Sequence, residues 1–324
     1  MVRYLVTGGA GFIGSHLCDL LVARGAAVVA VDDLSTGCRA NLAQLAGNDR
    51  FRLIVGSATN ARLMDRLVRE ADVVVHLAAA VGVELIRSRP LSSARTNALA
   101  TLTVLKQSVR HRRRVLLASS SEVYGYTAPV PVAEDTIRTS GAAADMRASY
   151  GASKAFEESV ALACAHQEGL PVVVARLFNT VGPRQRADHG MVIPRFVEHA
   201  LARRPLRVLG DGRQTRSFGH VLDVVDALQR LAEAPAATGD VFNVGRPEEV
   251  AILDLAHRIM TATGGAVPVE LVPYPDDFRE SRRRVPDVTK IRACVGWEPR
   301  RDLDTIIRDV VAERRGTAAP VAVA

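Results

Sequence analysis

The feature that most constrains this chain is the segment Thr7-Gly8-Gly9-Ala10-Gly11-Phe12-Ile13-Gly14, set between the apolar run Tyr4–Val6 and a helical pattern. It fits Gly-x-Gly-x-x-Gly through Gly9, Gly11 and Gly14, and the wider Gly-x-x-Gly-x-x-Gly through Gly8, Gly11 and Gly14. Glycines at a strand-to-helix junction allow a tight turn, close approach of a ligand to the backbone, and close packing of helix on strand. The helix N terminus then presents free N–H groups and partial positive charge to a phosphate. Gly8, Gly11, Phe12, Ile13 and Gly14 are the contacts expected there. The next apolar run ends in Asp32, whose carboxylate can accept both hydroxyls of an adenosine ribose and repels a 2′-phosphate. Together the two motifs predict NAD rather than NADP. Asp33 offers the same chemistry one residue later, and Asp32 is the expected partner.

Around this junction the chain alternates two textures. Short runs rich in β-branched residues, at Tyr4–Val6, Ala27–Val31, Phe51–Val55, Val73–Leu77, Val115–Ala118 and Val172–Ala175, read as strands covered on both faces. Helical patterns at Phe12–Arg24, Arg62–Arg69, Ser92–Val109 and Tyr150–Gln167 lie between them. That order predicts an α/β fold with a Rossmann-type doubly wound parallel sheet. Beyond Arg176, prolines such as Pro183, Pro194, Pro205 and Pro247 break the chain into shorter pieces, with helices expected at Ile193–Arg203, Leu222–Ala232, Ile252–Thr263 and Leu303–Ala312. These pieces predict a smaller mixed α/β substrate domain interleaved with the sheet. The expected boundaries are 1–178 with 217–247 for the cofactor domain, 179–216 with 248–315 for the substrate domain, and a disordered tail at 316–324.

Composition narrows the partners. No stretch approaches the roughly 18–20 consecutive apolar residues of a membrane helix, and Met1-Val2-Arg3 leads into a strand without the pattern of an export signal. The net charge of +7 comes from dispersed arginines without interleaved aromatics, which predicts no nucleic-acid partner and suits phosphate or carboxylate ligands instead. Cys18, Cys38, Cys164 and Cys294 form no Cys-x-x-Cys pair and lack neighbouring histidines. They are expected to be reduced thiols in a cytoplasmic protein without a metal.

The chemistry centres on Tyr150-Gly151-Ala152-Ser153-Lys154. Spacing of four places phenol and ammonium on one helical face, where a tyrosinate can take a proton from a carbinol while hydride passes to the nicotinamide. Bringing a phenol from a pKa near 10 towards 7 takes about 4 kcal/mol of electrostatic help, which a neighbouring ammonium and a cationic ring can supply. Only three lysines occur in the chain (Lys106, Lys154, Lys290). By composition the pair would arise about once in twenty such chains. Upstream, Val115–Ala118 runs into Ser119-Ser120-Ser121-Glu122-Val123-Tyr124-Gly125, a set of hydroxyls with one acid at the end of a sheet strand.

With these motifs the chain resembles the extended short-chain dehydrogenase/reductase family that acts on nucleotide sugars. His76-Leu77-Ala78-Ala79-Ala80, Asn97, Arg176–Arg184, Gln214–Phe218 and Gly296-Trp297-Glu298-Pro299 extend the likeness along most of the length. The resemblance implies Leu77, Ala78, Ala79 and Asn97 at the cofactor, with Asn97 also positioning the catalytic helix. It implies Ser120, Ser121, Asn179, Arg184 and Arg216 at the substrate, the last three of that set being candidates for the diphosphate. Within the family, 4,6-dehydratases carry an Asp-Glu pair where this chain has Ser121-Glu122. UDP-glucuronate decarboxylases read Thr-Ser-Glu-Val-Tyr-Gly, and this chain differs there only by Ser120 for Thr. Ser281–Val288 is similar to their Arg-Lys-Pro-Asp-Ile segment, which assigns Arg284 to the sugar carboxylate.

The expectation is therefore an NAD-dependent UDP-glucuronate decarboxylase that oxidises C4 and releases the C6 carboxylate, yielding a UDP-4-keto-pentose or UDP-xylose. Tyr150, Lys154, Ser120, Glu122 and Arg284 are its expected catalytic residues. Two readings stay open beside it: a 4-epimerase of UDP-glucuronate or UDP-glucose, and a catalytically silent NAD-binding regulator. Uridine follows from the resemblance, with thymidine open. The helices near Ser92–Val109 and Tyr150–Gln167 are expected to pair in a homodimer.

Overall fold

The computed structural model describes residues 1–82, 86, 88–139, 148–187, 191–274 and 281–316. Seven strands form one all-parallel sheet: β1 (Arg3–Thr7), β2 (Ala27–Asp32), β3 (Phe51–Val55), β4 (Val73–His76), β5 (Arg114–Ser120), β6 (Val172–Leu177) and β11 (Val241–Val244). Their order is β11-β6-β5-β4-β1-β2-β3, so the chain reverses direction across the sheet between β1 and β4. Ligand crevices in such sheets open at the carboxyl ends of the strands at this reversal.

Alternation along each strand divides the core into two layers. On β1, Tyr4 and Val6 face one layer with the Phe12–Ala23 and Val221–Glu233 helices. Leu5 faces the other, with the Ala61–Glu70, Pro90–His111 and Ala148–Glu168 helices. On β6, Val173 and Ala175 join the first layer, Val172 and Val174 the second. Strands covered on both faces need apolar side chains at consecutive positions, which is why they read as unbroken runs.

A third apolar cluster lies apart from the sheet. It combines Val181, Ile193, Phe196, Val208 and Phe218 with Leu255, Ile259, Ile306 and Val310. Small paired strands border it: β8 (Leu206–Leu209) with β13 (Val269–Val272), and β9 (Thr215–Ser217) with β12 (Glu249–Ala251). The pair β7 (Thr180–Val181) and β10 (Gly219–His220) links this region back to the sheet. The single tryptophan of the Gly-Trp-Glu-Pro segment is a tie between regions: Trp297 is buried and its Nε1 donates to Asp223 O at 2.9 Å. Of the expected tail, 317–324 lies outside the described residues.

Candidate active site

The crevice is made first by glycine. Gly8 has φ +71°, and a Cβ there would sit 2.9 Å from the Ala78 nitrogen. A Cβ on Gly14 would lie 2.1 Å from Gly8 O, so the Phe12–Ala23 helix rests directly on the loop. Gly11 precedes that helix without a side-chain cap, and its first turn holds no acid. The leading N–H groups are thereby left to an external acceptor. Across the crevice, Thr7 Oγ1 accepts from Ala78 N at 3.1 Å and lies 2.7 Å from His76 Nδ1.

Asp32 ends β2 as a nearly buried carboxylate that accepts from Ala10 N at 3.0 Å and Leu34 N at 2.8 Å. Burial raises its pKa, against the backbone donors that favour the anion. A dinucleotide suits this arrangement: a cradle without side chains and an uncapped helix end for the pyrophosphate, and a fixed carboxylate for a ribose. Gly8, Gly11, Phe12, Ile13, Gly14, Asp32 and the Leu77–Ala79 backbone are the residues able to hold it.

The other end of the crevice is built from side chains. Tyr150 and Lys154 lie on the Ala148–Glu168 helix, and Ser120 hydrogen-bonds the phenol from the end of β5. Gly151 makes this approach possible. A Cβ there would fall 2.5 Å from Glu122 O, so the helix seats against the Ser121–Tyr124 turn only with glycine next to the tyrosine. Lys154 Nζ donates to Ala118 O at 3.0 Å and to Glu157 Oε2 at 2.9 Å. Burial raises the Tyr150 pKa; Lys154 pulls it down, while Glu157 and Glu122 push it up. Burial also opposes the Lys154 ammonium, yet Glu157, Tyr150 and Glu158 leave its pKa raised.

Glu122 and Arg284 meet as an ion pair between segments 162 positions apart in sequence numbering, roughly half the chain. Arg284 is nearly buried and also donates Nη2 to Gly125 O at 3.0 Å. The structure thus brings Ser120, Glu122, Tyr150, Lys154 and Arg284 into one neighbourhood, with direct contacts between Ser120 and Tyr150 and between Glu122 and Arg284. Ser121 is buried beside them.

Four expected residues have other engagements. Asn97 is buried, with Oδ1 accepting from Ala80 N at 2.6 Å and Nδ2 donating to Ala80 O at 3.3 Å. It fastens the loop after β4 rather than the catalytic helix. Arg184 is salt-bridged to Asp19 of the first helix at 2.8 Å. Asn179 Nδ2 donates to Ser217 O at 3.0 Å and knits β7 to β9. Arg216 lies on β9, where its Nη1 donates to Thr215 O at 2.6 Å.

The sequence reading missed a buried charge network behind the catalytic helix. Glu158 accepts Arg176 Nε and Nη2, both at 2.8 Å, Ser119 Oγ at 2.6 Å and Arg138 Nη1 at 3.1 Å. Arg176 also donates to Tyr124 O–H at 2.7 Å, and that phenol is pushed up to about 12, chiefly by burial. A usable signal was present: Glu157 and Glu158 follow Lys154 by three and four positions, on a helix whose neighbours are small and apolar. Among the described residues no group of three His, Cys, Asp or Glu could hold a metal ion, and no helix is long and apolar enough to cross a membrane.

Known proteins resemble this chain along most of its length. The family model for GDP-mannose 4,6 dehydratase matches residues 5–310. A UDP-N-acetyl-alpha-D-glucosaminuronate decarboxylase of Bacillus cytotoxicus is 39% identical over 302 residues, covering 92% of each chain. UDP-glucuronic acid decarboxylase 4 of Arabidopsis thaliana is 36% identical, over 95% of this chain and 68% of that one. Among solved structures, UDP-glucuronic acid 4-epimerase of Bacillus cereus, in complex with UDP-glucuronic acid and NAD, superposes with a TM-score of 0.88 at 27% identity, covering 97% of this chain and 99% of that one. The chain belongs to the GDP-mannose 4,6 dehydratase family, within the extended short-chain dehydrogenases/reductases that act on nucleotide sugars.

Proposed function

We propose that this chain is an NAD-dependent decarboxylase of UDP-glucuronate. The observation that carries the reading is the Glu122–Arg284 pair set beside Ser120, Tyr150 and Lys154. A C4 epimerase needs a base and an ammonium; a buried arginine held at the same centre by an acid suits a substrate with a carboxylate.

NAD, when bound, supplies the acceptor for the hydride from C4. Tyr150 takes the proton of the C4 hydroxyl, with Ser120 holding the oxygen and Lys154 stabilising the phenolate. Oxidation at C4 leaves the C6 carboxylate β to a ketone. The C5–C6 bond breaks, carbon dioxide departs, and the electron pair becomes a C4–C5 enolate. Arg284 orients the carboxylate before it leaves, and Glu122 manages the proton that C5 regains. The product is the UDP-4-keto-pentose, or UDP-xylose when the hydride is returned to C4. The Bacillus cytotoxicus relative favours a second substrate, the 2-acetamido analogue, on which the same carboxylate chemistry operates.

The test is incubation of purified protein with NAD and each UDP-uronate, following carbon dioxide and product mass. Arg284→Ala and Glu122→Gln are expected to slow carbon dioxide release about a hundredfold with NAD affinity unchanged. Normal release by both variants removes these roles. UDP-galacturonate as sole product establishes 4-epimerisation instead.

The division into cofactor segments 1–178 and 217–247 and substrate segments 179–216 and 248–315 is supported by the separate cluster around Phe196 and Ile306, whereas Val288, Ile291 and Trp297 pack into the first layer of the sheet and Phe218 into the separate cluster. A homodimer through the Pro90–His111 and Ala148–Glu168 helices would cover Leu91, Leu99, Leu102 and Phe156, all exposed. Four free cysteines suit a cytoplasmic location.

A further inference from the structure

Lys154 is held from behind by a residue that the proposed reaction does not use. Glu157 lies one helical turn beyond it, and the two side chains are 1% and 5% exposed. Glu157 Oε2 accepts from Lys154 Nζ and from Thr101 Oγ1, both at 2.9 Å. His76 Nε2 lies 3.1 Å from Thr101 Oγ1, and His76 Nδ1 lies 2.7 Å from Thr7 Oγ1. Because Thr101 gives its proton to Glu157, it accepts from His76 Nε2–H. His76 Nδ1 then accepts from the Thr7 hydroxyl, which itself accepts from Ala78 N. One directed chain of hydrogen bonds runs from the glycine-loop strand to the Glu157 carboxylate, which the catalytic ammonium meets as a donor from the other side. Its histidine is neutral, since burial and Lys154 lower its pKa to about 3.

We propose that Glu157 is a positioning residue for the Tyr150–Lys154 pair: its carboxylate, anchored by Thr101, clamps the ammonium and balances the buried charge beside the base. The inference rests on the roles given to Tyr150 and Lys154 above. A buried ion pair contributes little net stability compared with apolar side chains of the same volume. Its presence here therefore calls for another explanation, and a lysine required to stay charged out of water supplies one. The remaining charges that face the pair have partners of their own. Glu158, on the same helix, is met by Arg176 of β6 and by Arg138. Glu122, beyond β5, is met by Arg284. His76 of β4 is uncharged. Lys154 and Glu157 are left to neutralise each other.

With Glu157 present, loss of the phenol proton takes the cluster of Tyr150, Lys154 and Glu157 from net zero to net negative. In Glu157→Gln the same loss takes it from net positive to zero, so ionisation becomes easier. The acid limb of kcat/KM against pH should move about one pH unit lower. The plateau kcat should fall about tenfold as the ammonium loses its anchor, with KM for the UDP-uronate unchanged. A tyrosinate absorbance titration without sugar, using Tyr150→Phe as reference, should show the same displacement. Glu157→Asp keeps the charge but shortens its reach, so it should lower kcat and leave the acid limb in place.

An unmoved acid limb in Glu157→Gln, with only a lower thermal midpoint, overturns the proposal. If Glu157→Gln does not fold, Glu157→Asp decides alone: native kcat, or a displaced acid limb, overturns it. Full turnover by Tyr150→Phe would instead remove the underlying assignment of the base.

Discussion

At the Gly8–Gly14 end of the crevice the backbone makes the surface, whereas at the Tyr150 end buried charges do. The first end works by leaving side chains out: Gly8 against Ala78, Gly14 against Gly8 O, and a helix start with no cap. The second end works by matching charges: Lys154 with Glu157 and Glu158 with Arg176 out of water, and Glu122 with Arg284 where the acid is partly exposed. The first kind of surface is set chiefly by the side chains left out, the second chiefly by the charges that are paired. The contrast explains how one crevice can hold a long dinucleotide and still manage a single proton at its far end.

The largest test falls on the charged end. Glu158→Gln keeps the volume but leaves the Arg176 guanidinium buried without its counter-ion. It should lower stability by about 3–5 kcal/mol, measured by urea unfolding. A loss under 1 kcal/mol would mean that charge matching there is dispensable. Gly14→Ala probes the opposite end. It adds one methyl carbon against backbone that cannot swing aside, and should weaken NAD binding by up to about a hundredfold in isothermal titration, as expected for an overpacking cost of 1–3 kcal/mol. Near-native affinity would break the comparison.

A third test, read as a difference in slope, concerns the join between the two ends. His16 and His76 are both held neutral in the folded chain, their pKa values lowered from 6.5 to about 3, chiefly by burial. Between those values the unfolded chain binds protons that the folded chain does not. Stability is therefore full above about pH 6.5 and declines as pH falls towards 3, with a slope of up to about 1.4 kcal/mol per pH unit for each histidine. Urea midpoints across that range in the native protein and in His76→Gln should show a shallower decline in the variant.

The sheet was legible because its signal is local. Phe51–Val55 and the helix Ile252–Thr263 have the bounds that their patterns predict, and β1 to β6 each fall on a predicted run. The strands β8, β9, β12 and β13 were not foreseen. They are three or four residues long, too short for any period to emerge, and they form only because another segment pairs with them. The same limit governs the site. Tyr150 and Lys154 announce themselves by spacing on one helix, but the Asp19 partner of Arg184 and the Ala80 partner of Asn97 are set by tertiary contact. Charge sites read from sequence list the donors; only the fold says which are already taken.

Gly151 has a practical consequence for anyone who wishes to redirect the specificity of this chain. The residue after the base touches a carbonyl in place of a side chain, so every larger amino acid there would push the tyrosine away from Ser120. Mutant libraries aimed at new sugars should hold position 151 fixed and place their diversity around Arg284, where a change of side chain alters what is recognised without moving the helix that carries the base.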